Sequence, residues 1–368
     1  MLLGLVTSLV YKEPEVSLAA LENAGLSRAR FFDFNTKSHD TQAVVVPVED
    51  AIVVSFRGTE HTTDIRTNMR FNFMPSPLGG RVHEGFFDAL NDRTTPNGPT
   101  AWQEIMSYVD DLASTGKYKN IYFTGHSLGG AMATMSTTRF VGTDLRDFPD
   151  AQKLEMAELV TFGQPKTFDK KGEEKFSEAV EGKAARYVHR SDMVPSVPLF
   201  GMNKTSIGFM NIPTHFDFYE QCTGCQYING AGNVSGTEHG AASWAKISVM
   251  RMLKPLVESL SFVENKIGEY LEHHSLGKYY LPAVDKEMRK ELTAAGMEPA
   301  PIIDALAAQS AGTPHRSASK RLADYVPTLV TVAVQEAFFS KPKGSESWQH
   351  FLDKRENGAS RGSGMDLE

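Results

Sequence analysis

The feature that most constrains this chain is a turn of six residues, Gly125-His126-Ser127-Leu128-Gly129-Gly130. It follows a short apolar run, Ile121 to Thr124, and precedes a small-residue helical stretch from about Leu128 to Phe140. This strand, sharp turn and helix contain the G-x-S-x-G pattern. A serine on so tight a turn needs neighbours without bulk two residues before and two after, where the chain crosses itself closely. Ser127 is therefore expected to project above a sheet. The backbone N–H of Leu128, at the helix N-terminus, would face an incoming carbonyl oxygen.

The surroundings of the turn read as alternating strands and helices. Ala43 to Val48 and Ala51 to Phe56 are valine-rich runs separated by Glu49 and Asp50, a hairpin feeding a sheet. Ala101 to Gly116 sets Trp102, Ile105, Met106, Val109 and Leu112 on one helical face. Further apolar runs at Leu159 to Phe162 and Ala184 to His189 flank a charged helical stretch from Asp169 to Val180. The alternation predicts an α/β fold with a mostly parallel central sheet flanked by helices. Met1 to Val10 reads as a buried first helix in preference to a trimmed secretion signal, and Asn229 to Gly236 as a flexible loop.

After about Leu253 the strand signals vanish. The remainder reads as a helical C-terminal extension with breaks at Pro282, Pro299, Pro301 and Pro327. Val326, Leu329, Val330, Ala333, Val334, Ala337 and Phe338 suggest a helix with a wide apolar face, docked on the body or on a partner. The expected organisation is a body over 1–255, a helical extension over 256–340 and a flexible polar tail over 341–368, with oligomerisation through the extension an open possibility.

A serine hydroxyl reacts at neutral pH only when a histidine takes its proton and a carboxylate orients that histidine. Asp192, in Arg190-Ser191-Asp192-Met193-Val194-Pro195, follows a predicted strand and is the preferred acid. His189, His215 and His239 follow Ser127 within the body. His189 precedes the acid and reads as a packing residue. His239 follows the flexible loop and is preferred over His215 as the base. In Phe56-Arg57-Gly58-Thr59, Gly58 lets the backbone approach substrate, and Thr59 is the candidate for a second oxyanion donor beside Leu128.

Composition excludes other classes. Among 368 residues, 38 basic against 45 acidic side chains give a net charge of −7, with no broad basic field for nucleic acid. Cys222 and Cys225 are too few for a disulfide framework and complete no zinc site. They read as two thiols or one small-loop disulfide. No run of about 18 apolar residues predicts a transmembrane span. Neither a metal nor an organic cofactor is expected.

The chain resembles the fungal-type triacylglycerol lipases, the class 3 lipase family of α/β-hydrolases. The resemblance rests on Phe56-Arg57-Gly58-Thr59, Val82-His83-Glu84-Gly85-Phe86, the Gly125 to Gly130 turn, Thr161-Phe162-Gly163-Gln164-Pro165, His189 to Pro195, and Glu238-His239. These occur in the family's order between about residues 10 and 255. The resemblance implies Ser127 as nucleophile, Asp192 as orienting acid, His239 as base, and Thr59 with Leu128 as oxyanion donors. It also implies a lid over about 61–77, with Ile65, Met69, Phe71 and Phe73 meeting substrate, and transient contact with a lipid–water interface. The implied activity is hydrolysis of acylglycerol esters, with a phospholipase A1 or a short-chain or feruloyl-type esterase as the alternative. A binding or scaffolding protein on a hydrolase body is the reading from a different class. Asn203-Lys204-Thr205 and Asn233-Val234-Ser235 fit the glycosylation pattern.

Overall fold

A computed structural model of the chain describes residues 1–34, 41–58, 73–93, 95, 97–143, 145–189, 192, 194–196, 204–207, 210–213, 218–219, 225–228, 234–236 and 273–311. Its centre is an eight-stranded sheet whose spatial order follows the chain: β1 (Arg30–Asp33), β2 (Gln42–Val48), β3 (Ala51–Phe56), β4 (Asn120–His126), β5 (Glu155–Phe162), β6 (Ala184–His189), β7 (Cys225–Ile228) and β8 (Val234–Gly236). β3 through β7 run parallel to one another, while β1, β2 and β8 are antiparallel to their neighbours. Small antiparallel sheets stand beside it, one built from Phe73–Pro75, Arg81–His83, Phe168–Asp169 and Phe218–Tyr219.

The valine runs are buried because the sheet is covered on both faces, as parallel sheets generally are. Alternate residues of β2 and β3 serve different cores. Ala43, Val45, Ile52 and Val54 join one cluster, whereas Val44, Val46, Val48 and Val53 join the other. The β2–β3 hairpin turns at Glu49, which adopts a left-handed φ of 52°.

Helices supply both covers. The N-terminal helix α1 (Leu2–Leu9) and α2 (Pro14–Asn23) lie over one face. The other face receives α3 (Ala101–Ser114), α4 (Leu128–Gly142) and α5 (Lys170–Val180). A capping box starts α3: the Thr100 hydroxyl accepts from Gln103 N at 3.1 Å, and Thr100 N donates to Gln103 Oε1 at 2.9 Å. Asp169 caps α5 by accepting from Gly172 N at 2.7 Å.

Residues beyond the boundary expected near 255 share the first of these covers. A π-helical turn, Leu276–Tyr280, leads into α6 (Leu281–Ala294), and α7 (Pro301–Ala311) follows. Leu276, Tyr280, Leu281, Ile303 and Leu306 pack in one cluster with Leu5, Val6 and Leu9 of α1. Lys12 ties the far end of α7, donating to the carbonyls of Gln309 (2.8 Å) and Ser310 (3.3 Å), where a helix C-terminus favours a cation. Pro282 and Pro301 begin helices, where a missing N–H costs nothing, and so do not interrupt them.

Other expectations meet the structure differently. Val234 to Gly236, read as part of a flexible loop, forms the edge strand β8 against β7. Cys225 opens β7, while Cys222 lies outside the described residues. The apolar stretch 326–338 and the tail 341–368 also lie outside them. Among the described residues no helix is long and apolar enough to cross a membrane.

Candidate active site

Ser127 sits between the last residue of β4 and the first of α4. Its φ of 59° and ψ of −130° place a non-glycine residue in a strained conformation. Close packing enforces that strain. A Cβ on Gly125 would lie 2.2 Å from Gly129 O, and one on Gly129 would lie 2.2 Å from Phe56 O at the end of β3. Glycine is therefore required two residues to either side of the serine. Ser127 N donates to Phe162 O at 2.9 Å, which fixes the turn to the end of β5. The first N–H groups of α4, Leu128 among them, have no intrahelical acceptor and face the space before the helix.

Asp192 follows β6, with its N–H donating to His189 O at 3.0 Å. Its side chain is wholly buried. Oδ1 accepts from Val194 N at 2.9 Å. Oδ2 accepts from Nδ1 of His274 at 2.7 Å and also from the Tyr280 hydroxyl. Tyr280 in turn accepts from His189 N at 3.2 Å. Burial, followed by the neighbouring Asp192 carboxylate, pushes the Tyr280 phenol well above its usual value, so it stays a proton donor. The buried Arg186 guanidinium holds the loop after Asp192, donating to Pro195 O (2.9 Å) and Gln164 O (2.8 Å).

Gly163 brings these groups together. It follows the Phe162 carbonyl that receives Ser127 N, and it has a φ of 59°. A Cβ there would lie 2.9 Å from both Asp192 Oδ2 and His274 Cε1. The missing side chain lets carboxylate and imidazole rest against the end of β5. The His274 ring packs on the ring of His126, the residue before Ser127, at 4.4 Å between centroids. His274 Nε2 is buried and has no hydrogen-bond partner among the described residues. The site thus offers a hydroxyl, an imidazole already paired through Nδ1, and a buried carboxylate, the chemical set for nucleophilic attack assisted by a base.

Of the residues the sequence singles out, Ser127, Leu128 and Asp192 lie in this neighbourhood. Thr59, Ile65, Met69, Phe71, His215 and His239 fall outside the described residues. The imidazole on Asp192 belongs to His274, which lies beyond the composition shift near residue 255 and outside the stretch that holds the candidate histidines His215 and His239. The order Ser, Asp, His holds equally for His274, and following that order past the composition shift would have reached it. Phe73, assigned to the lid, opens the strand Phe73–Pro75, paired opposite His83 and under the Arg81 guanidinium. His189 is a packing residue, as expected. It stacks on His273 at 4.9 Å, and burial, followed by the His273 charge, lowers its pKa. Among the described residues no group of three or more His, Cys, Asp or Glu side chains is arranged to hold a metal ion.

Residues 53–202 match the family model described as Lipase (class 3). A lipase of Caenorhabditis elegans is 33% identical over 162 residues, covering 42% of this chain and 40% of that protein. A secreted mono- and diacylglycerol lipase of Fusarium solani is 32% identical over 166 residues, covering 42% of each. The chain thus spans about two-fifths of the length of these curated relatives. The solved Rhizomucor miehei triacylglyceride lipase is similar over 61% of this chain and 77% of its own, at 21% identity and a TM-score of 0.42. The family match spans the end of β3, the Ser127 turn and Asp192, so over residues 53–202 this chain is similar to the class 3 lipases.

Proposed function

We propose that the chain is a serine carboxylester hydrolase that cleaves acylglycerol esters through an acyl-enzyme intermediate. Ser127 Oγ attacks the ester carbonyl and passes its proton to Nε2 of His274. Asp192, bonded to Nδ1, keeps the imidazole in the tautomer that leaves Nε2 free to accept and stabilises the imidazolium that forms. The N–H of Leu128, with Thr59 as second donor, receives the charge developing on the carbonyl oxygen. The imidazolium then protonates the departing alcohol. Water, deprotonated by His274, attacks the acyl-serine, and collapse of that adduct returns the fatty acid and Ser127.

The observation that carries this reading is the 2.7 Å bond from His274 Nδ1 to buried Asp192 Oδ2, beside a serine held in a strained turn. The names of the worm and fungal relatives agree with it. A fluorophosphonate should label the protein at Ser127, and Ser127→Ala should abolish labelling and lower turnover by about six orders of magnitude. Ester hydrolysis retained by folded Ser127→Ala would end the proposal. Comparing tributyrin, triolein, phosphatidylcholine and methyl ferulate assigns the acyl substrate. The proposal expects acylglycerols to be preferred.

A further inference from the structure

Tyr11 lies two residues beyond α1, far in sequence from the candidate site, yet its hydroxyl sits within it. Gly58 N donates to Tyr11 Oη at 3.1 Å. The same hydroxyl lies 2.9 Å from His126 Nδ1 and 3.2 Å from His126 O. On the other side of the ring, His126 Nε2 is 2.7 Å from the main-chain oxygen of His274. A carbonyl can only accept, so Nε2 carries the proton, and in the neutral ring Nδ1 is a bare acceptor. With Nδ1 as an acceptor, the single Tyr11 proton goes to Nδ1 at 2.9 Å in preference to the His126 carbonyl at 3.2 Å, while Oη accepts from Gly58 N. The directions close into one chain: Gly58 N–H to Tyr11 O–H to His126 Nδ1, and His126 Nε2–H to His274 C=O. A side chain at position 58 would destroy it, because a Cβ would lie 2.2 Å from Tyr11 Oη, 2.7 Å from His126 O and 3.1 Å from Ser127 Cβ.

We propose that Tyr11 and His126 form a brace that fixes the main chain of His274 and the Gly58 end of the oxyanion segment in one register about Ser127. The inference rests on the reading of Ser127 and His274 as nucleophile and base. Both brace members are positioning residues. His274 lies in a turn before the π-helical segment, and among the described residues no backbone–backbone hydrogen bond holds it. Displacing a reacting group by about 1 Å costs on the order of 100-fold in rate, and the brace spans both elements whose displacement matters.

The test uses the full chain and a soluble short-chain ester. Tyr11→Phe removes one oxygen and keeps the ring; His126→Phe keeps an aromatic ring on His274 and removes both bonds. Each is expected to lower kcat by about 10- to 100-fold and leave KM nearly unchanged, since binding groups are untouched. Because the two act as one chain, the double variant should fall no further than the worse single variant. Unchanged kcat in folded Tyr11→Phe, losses that multiply in the double variant, or a change confined to KM would each overturn the brace. Activity surviving Ser127→Ala would instead overturn the underlying assignment, so the two failures are distinguishable. Nitrogen NMR of the unaltered, histidine-labelled protein provides a check that no folding defect can obscure: His126 must show the neutral Nε2–H tautomer, and an Nδ1–H tautomer contradicts the proposal.

Discussion

At the scale of single residues, burial decides the protonation of His83. His83 is fully buried, with its ring stacked on Phe86 at 3.8 Å and its Nδ1 accepting from Phe86 N at 3.3 Å. Burial pushes its pKa down to about 3. The unfolded chain, with an ordinary imidazole, therefore binds a proton below about pH 6.5 that the folded chain refuses. Stability is fully present above pH 6.5 and is lost as pH falls toward 3. Between pH 7 and 5 the loss from this residue is about 2 kcal/mol. His83→Asn, which retains a capping oxygen, should flatten the pH dependence of urea denaturation by about that amount. An unchanged pH slope in the variant would show that His83 is not the group responsible.

At the scale of elements, the turn after β4 works because three chain segments meet without side chains. Gly129 lies against Phe56 O and Arg57 C, the end of the strand that leads to Gly58 and Thr59. Gly129→Ala forces either α4 or the end of β3 to move. The expected outcome is a loss of about 1 to 3 kcal/mol of stability, as overpacking costs elsewhere. Turnover should fall by about 100-fold or more, because the proposed nucleophile and the proposed oxyanion segment separate. Full activity in Gly129→Ala would mean that the contact between these elements is not needed for catalysis. Local physics made these elements readable in the sequence: the valine runs became β2 and β3, and the glycines around Ser127 marked the turn. Helix α3 followed the apolar face from Trp102 to Leu112, and its length was set by Thr100 at one end and Gly116 beyond the other. The short strands β7 and β8 were not legible. Cys225–Ile228 exists as a strand because it pairs with β6, and Val234–Gly236 because it pairs with β7, not because of its own composition.

At the scale of the whole molecule, the imidazole that meets Asp192, proposed above as the base, lies far from it in sequence. The acid and its imidazole are 82 residues apart, and His126 and the oxygen of His274 are 148 apart. Nothing local around His274 marks it as special. What carries it to Asp192 is the burial of Leu276, Tyr280, Leu281 and Leu306 against α1, so the N-terminal helix and residues 273–311 act on the site through packing. The packing does not divide at the composition shift near residue 255, because Leu276, Tyr280, Leu281, Ile303 and Leu306 share one apolar cluster with α1.

Turnover of His274→Ala measured beside His239→Ala, in the full chain on tributyrin, tests the central claim most directly. Folded His274→Ala is expected to lose about six orders of magnitude in kcat, while His239→Ala stays near the unaltered protein. Near-normal turnover in His274→Ala, with the collapse appearing in His239→Ala, would contradict it.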